Sequence, residues 1–277
     1  MAIINKEFNC ESCGKPRMFK YSENLQKIYD YRSKCRSCNL TEYNKKFNHS
    51  KRKYEIKDSF EKIDNSEKAY VFGFLWADGH ISSISRKDHK LNSVRCILNP
   101  KDREVLEFIQ NIIGGVIFDS SVFDKRTNKN YNRSTWIMNS KQVVMNFKKL
   151  NFRINLDFVP NEFHKDFLRG LIDGDGTFGY YDNDIKIKIT SNYKDDFEYL
   201  SNISLLVNRF SINKYIGKSG KSTNLVIKGS NIDKLNLLLD IYSEGFSMSR
   251  KLDKLKKITE DFNNRPVKYK IKSRPMS

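Results

Sequence analysis

The chain of 277 residues has little of what several protein classes require. Its four histidines share no spacing typical of a histidine-based metal or catalytic site. The apolar run at residues 69–77 is far shorter than the ~20 residues that a membrane helix needs. Residues 1–9 lack the apolar segment of a secretory signal. We therefore expect a soluble, intracellular (cytoplasmic) protein without a membrane partner.

Acidic residues are scarce relative to basic ones. The chain has 33 Asp and Glu against 51 Lys and Arg, which gives a net charge of +18. This surplus is spread along the chain, and such a distribution suits an extended phosphate backbone better than a small acidic ligand. Charge alone fits DNA, RNA and anionic membranes equally, so other features have to identify the partner.

An apolar stretch that ends in Asp-Gly occurs twice, as VFGFLWADG (71–79) and LRGLIDGDG (168–176). In the first copy Gly73 and Ala77 are four residues apart, and in the second Gly170 and Gly174 have the same spacing. On a helix each pair lies on one face, where small side chains allow another helix to approach backbone to backbone. We expect the two helices to pack against each other.

Each helix is predicted to end at a glycine, Gly79 or Gly176, so Asp78 and Asp175 lie in the last turn. A carboxylate at a helix C-terminus meets partial negative charge, and two such carboxylates side by side repel each other. A divalent metal would compensate, since hard cations prefer oxygen ligands. Two carboxylates that hold Mg²⁺ are typical of phosphodiester-cleaving sites. The alternative is that each Asp-Gly only ends a helix.

The resemblance between the two copies continues beyond these motifs. Residues 99–109 resemble 192–203, and residues 135–140 resemble 225–230. Each half is predicted to contain a helix, two strands, a helix, two strands and a helix. The alternation of isoleucine and lysine at 185–189 predicts a half-buried strand whose lysines face the open side of a sheet.

The two motifs resemble those of the LAGLIDADG homing endonucleases, in the single-chain form with both motifs in one polypeptide. The resemblance covers about residues 66–260, and the first motif departs from the family pattern at Trp76. It implies an α/β (α+β) fold of two pseudosymmetric half-domains with curved antiparallel sheets that saddle double-stranded DNA. It also implies a monomer that cuts a long asymmetric target. The implied Mg²⁺ (or Mn²⁺) site comprises Asp78, Asp175, Gly79 and Gly176.

The resemblance also implies a catalytic lysine near the metal ions, and Lys228 occupies the matching position. Its counterpart in the first half would be Met138, so we expect the two DNA strands to be cut with unequal help. The alternative for Lys228 is a phosphate contact. We predict that the sheet faces contact DNA through basic side chains: Arg86, Arg95, Lys125, Arg126, Arg133, Lys186, Lys188, Lys214, Lys218 and Lys221.

Two Cys-x2-Cys pairs lie near the N-terminus, at Cys10 and Cys13 and at Cys35 and Cys38. Four thiolates in two such pairs are typical of a tetrahedral structural zinc site. A redox-active dithiol pair is the alternative. Cys96 is predicted to be a small core residue.

The predicted organisation has six parts: a four-cysteine zinc module (1–40), a charged linker (41–65), the first half-domain (66–150), an interdomain linker (151–162), the second half-domain (163–262) and a basic tail (263–277). The leading functional hypothesis is a site-specific double-strand DNA endonuclease. The alternatives on the same fold are a non-cleaving DNA-binding regulator and an RNA maturase. Charge and fold alone leave all three open.

Overall fold

The computed structural model describes residues 3–22, 37–38, 55–86, 89–150, 152, 156–191, 203, 206, 209–216 and 223–264. The chain forms two compact units, Met1–Lys53 and Tyr54–Ser277. In the first unit, strand β1 (Ile3–Asn9) pairs antiparallel with β2 (Pro16–Ser22). The second unit contains both Asp-Gly motifs.

The second unit is built from two halves, and each half begins with a motif helix that is followed by four strands. The first half comprises α1 (Ser66–Asp78), β3 (Gly79–Arg86), β4 (His89–Leu98), α2 (Arg103–Ile113), β5 (Val116–Asp124), β6 (Lys129–Asn139) and α3 (Lys141–Lys149). The second half comprises α4 (His164–Asp175), β7 (Gly176–Tyr181), β8 (Asp184–Ser191), β9 (Ser211–Ile216), β10 (Thr223–Lys228), α5 (Asn231–Ile241) and α6 (Ser249–Asn263). The helix predicted at 192–203 falls outside the described residues except for Ile203.

Each half contains a four-stranded antiparallel sheet of the same topology. The strand orders are β3-β4-β6-β5 and β7-β8-β10-β9. The predicted alternation is confirmed, because Ile185, Ile187 and Ile189 are buried while Lys186 is exposed and Lys188 half-buried. The described helices cover one face of each sheet, and we call the other face, which no described helix covers, the open face. The predicted mixed α/β fold with two antiparallel sheets is confirmed.

The strand register defines which residues of the two halves are equivalent. Each sheet has a cross-strand row that begins at the glycine following a motif aspartate, and we call these the first and second glycine rows. The first glycine row is Gly79, Cys96, Trp136 and Ile117. The second glycine row is Gly176, Ile189, Leu225 and Lys214. Positions on the two sheets can therefore be compared row by row.

Helices α1 and α4 pack in direct backbone contact at their glycines. A Cβ atom added to Gly170 would lie 2.8 Å from the backbone nitrogen of Phe74, which is closer than real Cβ contacts come. A Cβ atom on Gly73 would lie 3.1 Å from the backbone nitrogen of Leu171. The backbones can approach this closely because both positions are glycine. The predicted contact between the two motif helices is confirmed.

The extra acid of the second motif, Asp173, is a buried hydrogen-bond centre. Its carboxylate accepts hydrogen bonds from the hydroxyls of Tyr70 (2.8 Å) and Tyr242 (2.6 Å) and from the backbone N–H of Met248 (2.8 Å). Burial raises the pKa of Asp173, although these three donors oppose the rise. The corresponding residue of the first motif, Trp76, is instead a buried indole. Asp173 therefore links α4 to α1 and to the segment that leads into α6.

The N-terminus of α6 connects the second half to the first. The backbone N–H of Ser249 donates to the Glu104 carboxylate at 2.7 Å, and the Arg250 guanidinium pairs with Asp102 at 2.8 Å. Asp102 and Glu104 lie at the N-terminus of α2, where negative charge is favourable. These exposed polar contacts add to the buried contact between α1 and α4.

Part of the predicted linker belongs to the core of the second unit. Phe60 and Ile63 are buried, and the Phe60 ring stacks on Phe147 at 4.8 Å between centroids. The side chain of Asn65 accepts a hydrogen bond from the Lys68 N–H and caps α1. Residues 55–65 therefore pack onto the first half, where Ile56 also bridges to Gly114 and the Asn146 amide donates to the Ser59 carbonyl. Residues 41–54 lie outside the described residues.

We expect Gly170→Ala to destabilise the protein by about 2–4 kcal/mol, the cost of a steric clash in a packed core. Helix propensity alone would favour alanine over glycine by ~1 kcal/mol. The sign of the change in the free energy of unfolding in urea therefore tests the backbone contact. A stabilised Gly170→Ala variant would contradict it.

Candidate functional site

The two motif aspartates lie at the same end of the α1–α4 pair. Asp78 ends α1 and Asp175 ends α4, and in both cases the next residue is a glycine that begins a strand. A Cβ atom added to Gly174 would lie 3.4 Å from Oδ2 of Asp78. The chain next to Asp175 is therefore close to the side chain of Asp78. Both predicted acids lie at the same end of the packed helix pair.

Both acids are accessible, and both occupy a negative electrostatic environment. Asp78 is exposed and Asp175 half-buried. Each lies at a helix C-terminus, where the backbone dipoles contribute partial negative charge. The pKa of the Cys96 thiol lies well above its usual value, mainly because the thiol is buried and also because of the negative charge of Asp78. Cys96 itself is buried, as predicted for a core residue.

Hard carboxylate oxygens in this arrangement fit a divalent cation. Two oxygen-bearing side chains that converge at two helix C-termini are an unfavourable pair without a cation, and Mg²⁺ and Mn²⁺ prefer such ligands. Exposure of Asp78 leaves one side of the pair open to a substrate. The residues that could hold the metal are Asp78 and Asp175.

Gly79 and Gly176, which follow the two acids, make the backbone hydrogen bonds that end the two helices. The N–H of Gly79 bonds to the Leu75 carbonyl and that of Gly176 to the Ile172 carbonyl, which closes each helix. The carbonyl of Gly176 also accepts a hydrogen bond from Nζ of the buried Lys251. An ammonium group at that oxygen disfavours a divalent cation there, so the structure argues against Gly176 as a metal ligand.

Lys251 contacts the residue that follows Asp175, and the sequence did not predict this contact. Its Nζ donates to the carbonyls of Ile172 (3.1 Å) and Gly176, at the C-terminus of α4. Burial lowers the pKa of Lys251 to about 8. A lysine in the last turns of a helix offsets the partial negative charge of the backbone carbonyls. The only sequence signal is its position on the apolar face of α6.

Two predicted DNA-contacting residues lie at equivalent positions on the open sheet faces. Arg95 is paired with His80, one residue beyond the first glycine row. Lys188 is paired with Thr177, one residue beyond the second glycine row. Each is therefore a basic residue opposite the second residue after a motif aspartate.

Lys228 does not lie level with the motif aspartates along its strand. It is exposed at the end of β10, three residues beyond Leu225 of the second glycine row. Three residues along a strand span about 10 Å. By register its counterpart is Asn139, whereas Met138 corresponds to Ile227 and is buried. The pairing of Lys228 with Met138 was wrong by one residue.

The remaining predicted DNA-contacting residues have varied environments. Arg133 lies on the open face of the first sheet and donates to the hydroxyl of Ser120 at 3.0 Å. Lys186 lies on the open face of the second sheet and pairs with Asp182 at 3.2 Å. Lys214 is on the opposite side from these, because it is paired with the buried Leu225, although it is exposed. The prediction that Lys214 lies on the open face was therefore wrong.

The last five predicted contacts divide into two groups. Lys125 and Arg126 are exposed in the turn between β5 and β6. Lys218 and Lys221 lie outside the described residues, and so does the side chain of Arg86.

Three of the four predicted zinc ligands are close together in the first unit. Suitable ligand atoms of Cys10, Cys13 and Cys38 all lie within 4.8 Å of one another. A tight turn after β1 brings the first two together: the N–H of Gly14 bonds to the Cys10 carbonyl at 2.7 Å. Gly14 has a φ of 67°, which favours glycine. Cys35 lies outside the described residues.

Among the described residues, the structure contains no helix that is both long and apolar enough to span a bilayer.

Comparisons with known proteins find a family model and similar solved structures. Residues 162–239 match the family described as LAGLIDADG-like domain. No curated protein matches the chain. The homing endonuclease I-DmoI, solved in complex with DNA and Ca, is 15% identical with a TM-score of 0.51 over 72% of this chain and 100% of that one. The homing endonuclease I-WcaI, solved bound to its DNA recognition sequence, is 12% identical with a TM-score of 0.51 over 78% of this chain and 91% of that one.

These identities are too low to carry function, but they establish the fold. The matches cover most of the chain and nearly all of each endonuclease. Residues 162–239 therefore resemble a LAGLIDADG-like domain, within a chain that has the fold of the homing endonucleases I-DmoI and I-WcaI.

Proposed function

We propose that this protein is a site-specific double-strand DNA endonuclease that hydrolyses phosphodiester bonds with Mg²⁺ or Mn²⁺. The observation that carries the proposal is the convergence of Asp78 and Asp175 at one end of the glycine-packed α1–α4 pair. The site lies between two open antiparallel sheets with basic side chains, on a chain with a net charge of +18. DNA as the substrate implies an intracellular location.

Asp78 and Asp175 would hold the metal ions between the two halves. A divalent metal in such a site activates water and stabilises the charge that develops on the leaving oxygen. The fixed separation of α1 and α4 keeps the two carboxylates in place, so little reorganisation is needed when DNA binds. One acid from each half matches one cut in each DNA strand.

Arg95 and Lys188 would neutralise the phosphates next to the cleavage points. Each is one residue beyond a glycine row, on the open face of its sheet. An arginine in one half and a lysine in the other provide unequal support, since guanidinium binds phosphate through two donors and ammonium as a point charge. We assign Lys228 to a phosphate contact farther from the reaction.

The chain would act as a monomer, because both motif helices and both sheets come from one polypeptide. Two sheets with different side chains imply a long and asymmetric target. The solved structures with this fold support the choice of DNA, since I-DmoI and I-WcaI were each solved with DNA. A non-cleaving regulator and an RNA maturase are the alternatives, and retention of both acids favours cleavage.

The first unit would bind a structural zinc ion through Cys10, Cys13 and Cys38, with Cys35 as the fourth ligand. Three cysteines with ligand atoms within 4.8 Å support a metal rather than a redox pair, which needs only two thiols. Zinc would fold a segment too small for a stable core of its own.

We expect Asp175→Asn and Asp78→Asn each to reduce Mg²⁺-dependent plasmid cleavage at least about a hundredfold, because one metal-binding carboxylate is lost. The target is first obtained by selecting cleaved duplexes from a random library. Gel-shift binding to that target should persist in both variants. The matched control is Asp253→Asn, since the Asp253 side chain is 76% exposed and belongs to α6. Equal cleavage by Asp175→Asn and wild type would contradict the mechanism.

The alternatives have distinct outcomes in the same assay. Duplex binding without any cleavage by the wild-type chain would identify a regulator. Binding to structured RNA in preference to duplex DNA would identify a maturase.

We expect Lys188→Met and Arg95→Met each to slow the cutting of one strand by about tenfold, equivalent to ~1.4 kcal/mol. Each variant should accumulate nicked plasmid, and the nick should fall in opposite strands. Lys228→Met is the matched control and should weaken binding without favouring a nicked product. If Lys228→Met nicks and Lys188→Met does not, the assignment of the two lysines is reversed.

We expect one zinc ion per chain in the purified protein, measured by native mass spectrometry. Cys13→Ser should lose the metal, because a required thiolate is removed. Cys96→Ala is the matched control, since Cys96 is buried in the second unit, and this variant should keep the zinc. A metal-free wild-type chain with Cys10 and Cys13 joined in a disulfide would support the redox alternative instead.

A further inference from the structure

The two sheets differ in chemistry at one pair of equivalent rows on their open faces. Next to each glycine row, on the side away from Arg95 and Lys188, lies a row that we call the first or second reading row. The first reading row is Ile97, Thr135 and Phe118. The second reading row is Thr190, Asn224 and Tyr215. The first is mainly apolar, whereas every side chain of the second carries a polar group, and the Tyr215 side chain is 48% exposed.

The first reading row exposes apolar side chains on the open face of the first sheet. Ile97 is 39% exposed and Phe118 is 45% exposed, and Thr135 is buried between them. All three side chains project to the open side, because their neighbours Cys96 and Trp136 are buried on the other. Ile97 and Phe118 therefore present apolar side chains on the face where bound DNA would lie.

The positive charge around this surface favours duplex DNA as its partner. The open face carries Arg95 in the row on one side and Arg133, paired with Ser120, on the other. Arginines on both sides of an apolar row suit an anionic partner with phosphates at its edges and apolar groups between them. The major groove of DNA provides this combination, since the thymine C5-methyl group is its apolar feature.

We propose that the first reading row selects thymine in its half of the target through contacts of Ile97 and Phe118 with thymine methyl groups. The inference rests on the proposed function, because it requires that the open sheet faces bind DNA. The second reading row has a different chemistry. The Thr190 hydroxyl donates to Oδ1 of Asn224 at 3.0 Å, so this row offers oriented polar groups. We therefore expect no requirement for thymine methyl groups in the half-site that the second sheet contacts.

The test uses the full chain with Asp175→Asn, so that DNA is bound without being cut. A random-sequence duplex library gives the bound target, and Arg95→Ala identifies the half under the first sheet by its loss of contacts there. The target is then made with 2′-deoxyuridine in place of thymidine in one half at a time. Deoxyuridine keeps every hydrogen-bonding group and removes only the methyl.

We expect deoxyuridine in the first half-site to weaken binding about fourfold for each contacted methyl group. Deoxyuridine in the second half-site should leave binding unchanged. The Ile97→Ala/Phe118→Ala variant should bind the thymidine and deoxyuridine duplexes equally. Met145→Ala, at an exposed apolar residue of α3, should discriminate as wild type does.

The proposed function and the thymine inference can be disproved separately. A library that yields no enriched duplex would overturn the proposed function. An enriched target whose affinity is unaffected by deoxyuridine in the first half-site would overturn the thymine inference and leave the endonuclease proposal standing. Equal losses from deoxyuridine in both half-sites would also overturn it, since the two reading rows would then act alike.

Discussion

The close approach of α1 and α4 is the constraint on which the rest of the second unit depends. Gly73 and Gly170 let the two helix backbones touch, and a single methyl group at Gly170 would collide with the backbone of the other helix. The same contact holds the two helices side by side, and Asp78 and Asp175 are their last residues. Stability and the candidate metal site thus depend on the same few glycines.

The sheets of the two halves have the same topology, but different side-chain contacts stabilise the two motif helices. The second half adds the buried Asp173, whose carboxylate receives three hydrogen bonds. It also adds α6, from which Lys251 reaches the C-terminus of α4. At the corresponding point of α1 the buried residue is Trp76. The proposed single site is therefore assembled from two halves with unequal surroundings, in keeping with an asymmetric duplex.

The sequence predicted those features that depend on local pattern. The four-residue spacing of small residues predicted the helix contact, and the alternation at 185–189 predicted a half-buried strand, because these periodicities follow from helix and strand geometry. Strand register was less predictable. Lys228 was matched to Met138 instead of Asn139, and Lys214 was assigned to the wrong face, since one residue of shift exchanges the two faces. The role of Lys251 depends on tertiary packing, and its only local signal is its position on the apolar face of α6.

The central claim is that Asp78 and Asp175 bind metal together at the end of the packed helices. The most direct test is a crystal structure of the chain with Mn²⁺ and its selected duplex, with manganese located by anomalous scattering. The account predicts manganese peaks within coordination distance of carboxylate oxygens of both aspartates, next to the DNA backbone. Manganese bound elsewhere, with neither aspartate as a ligand, would contradict it.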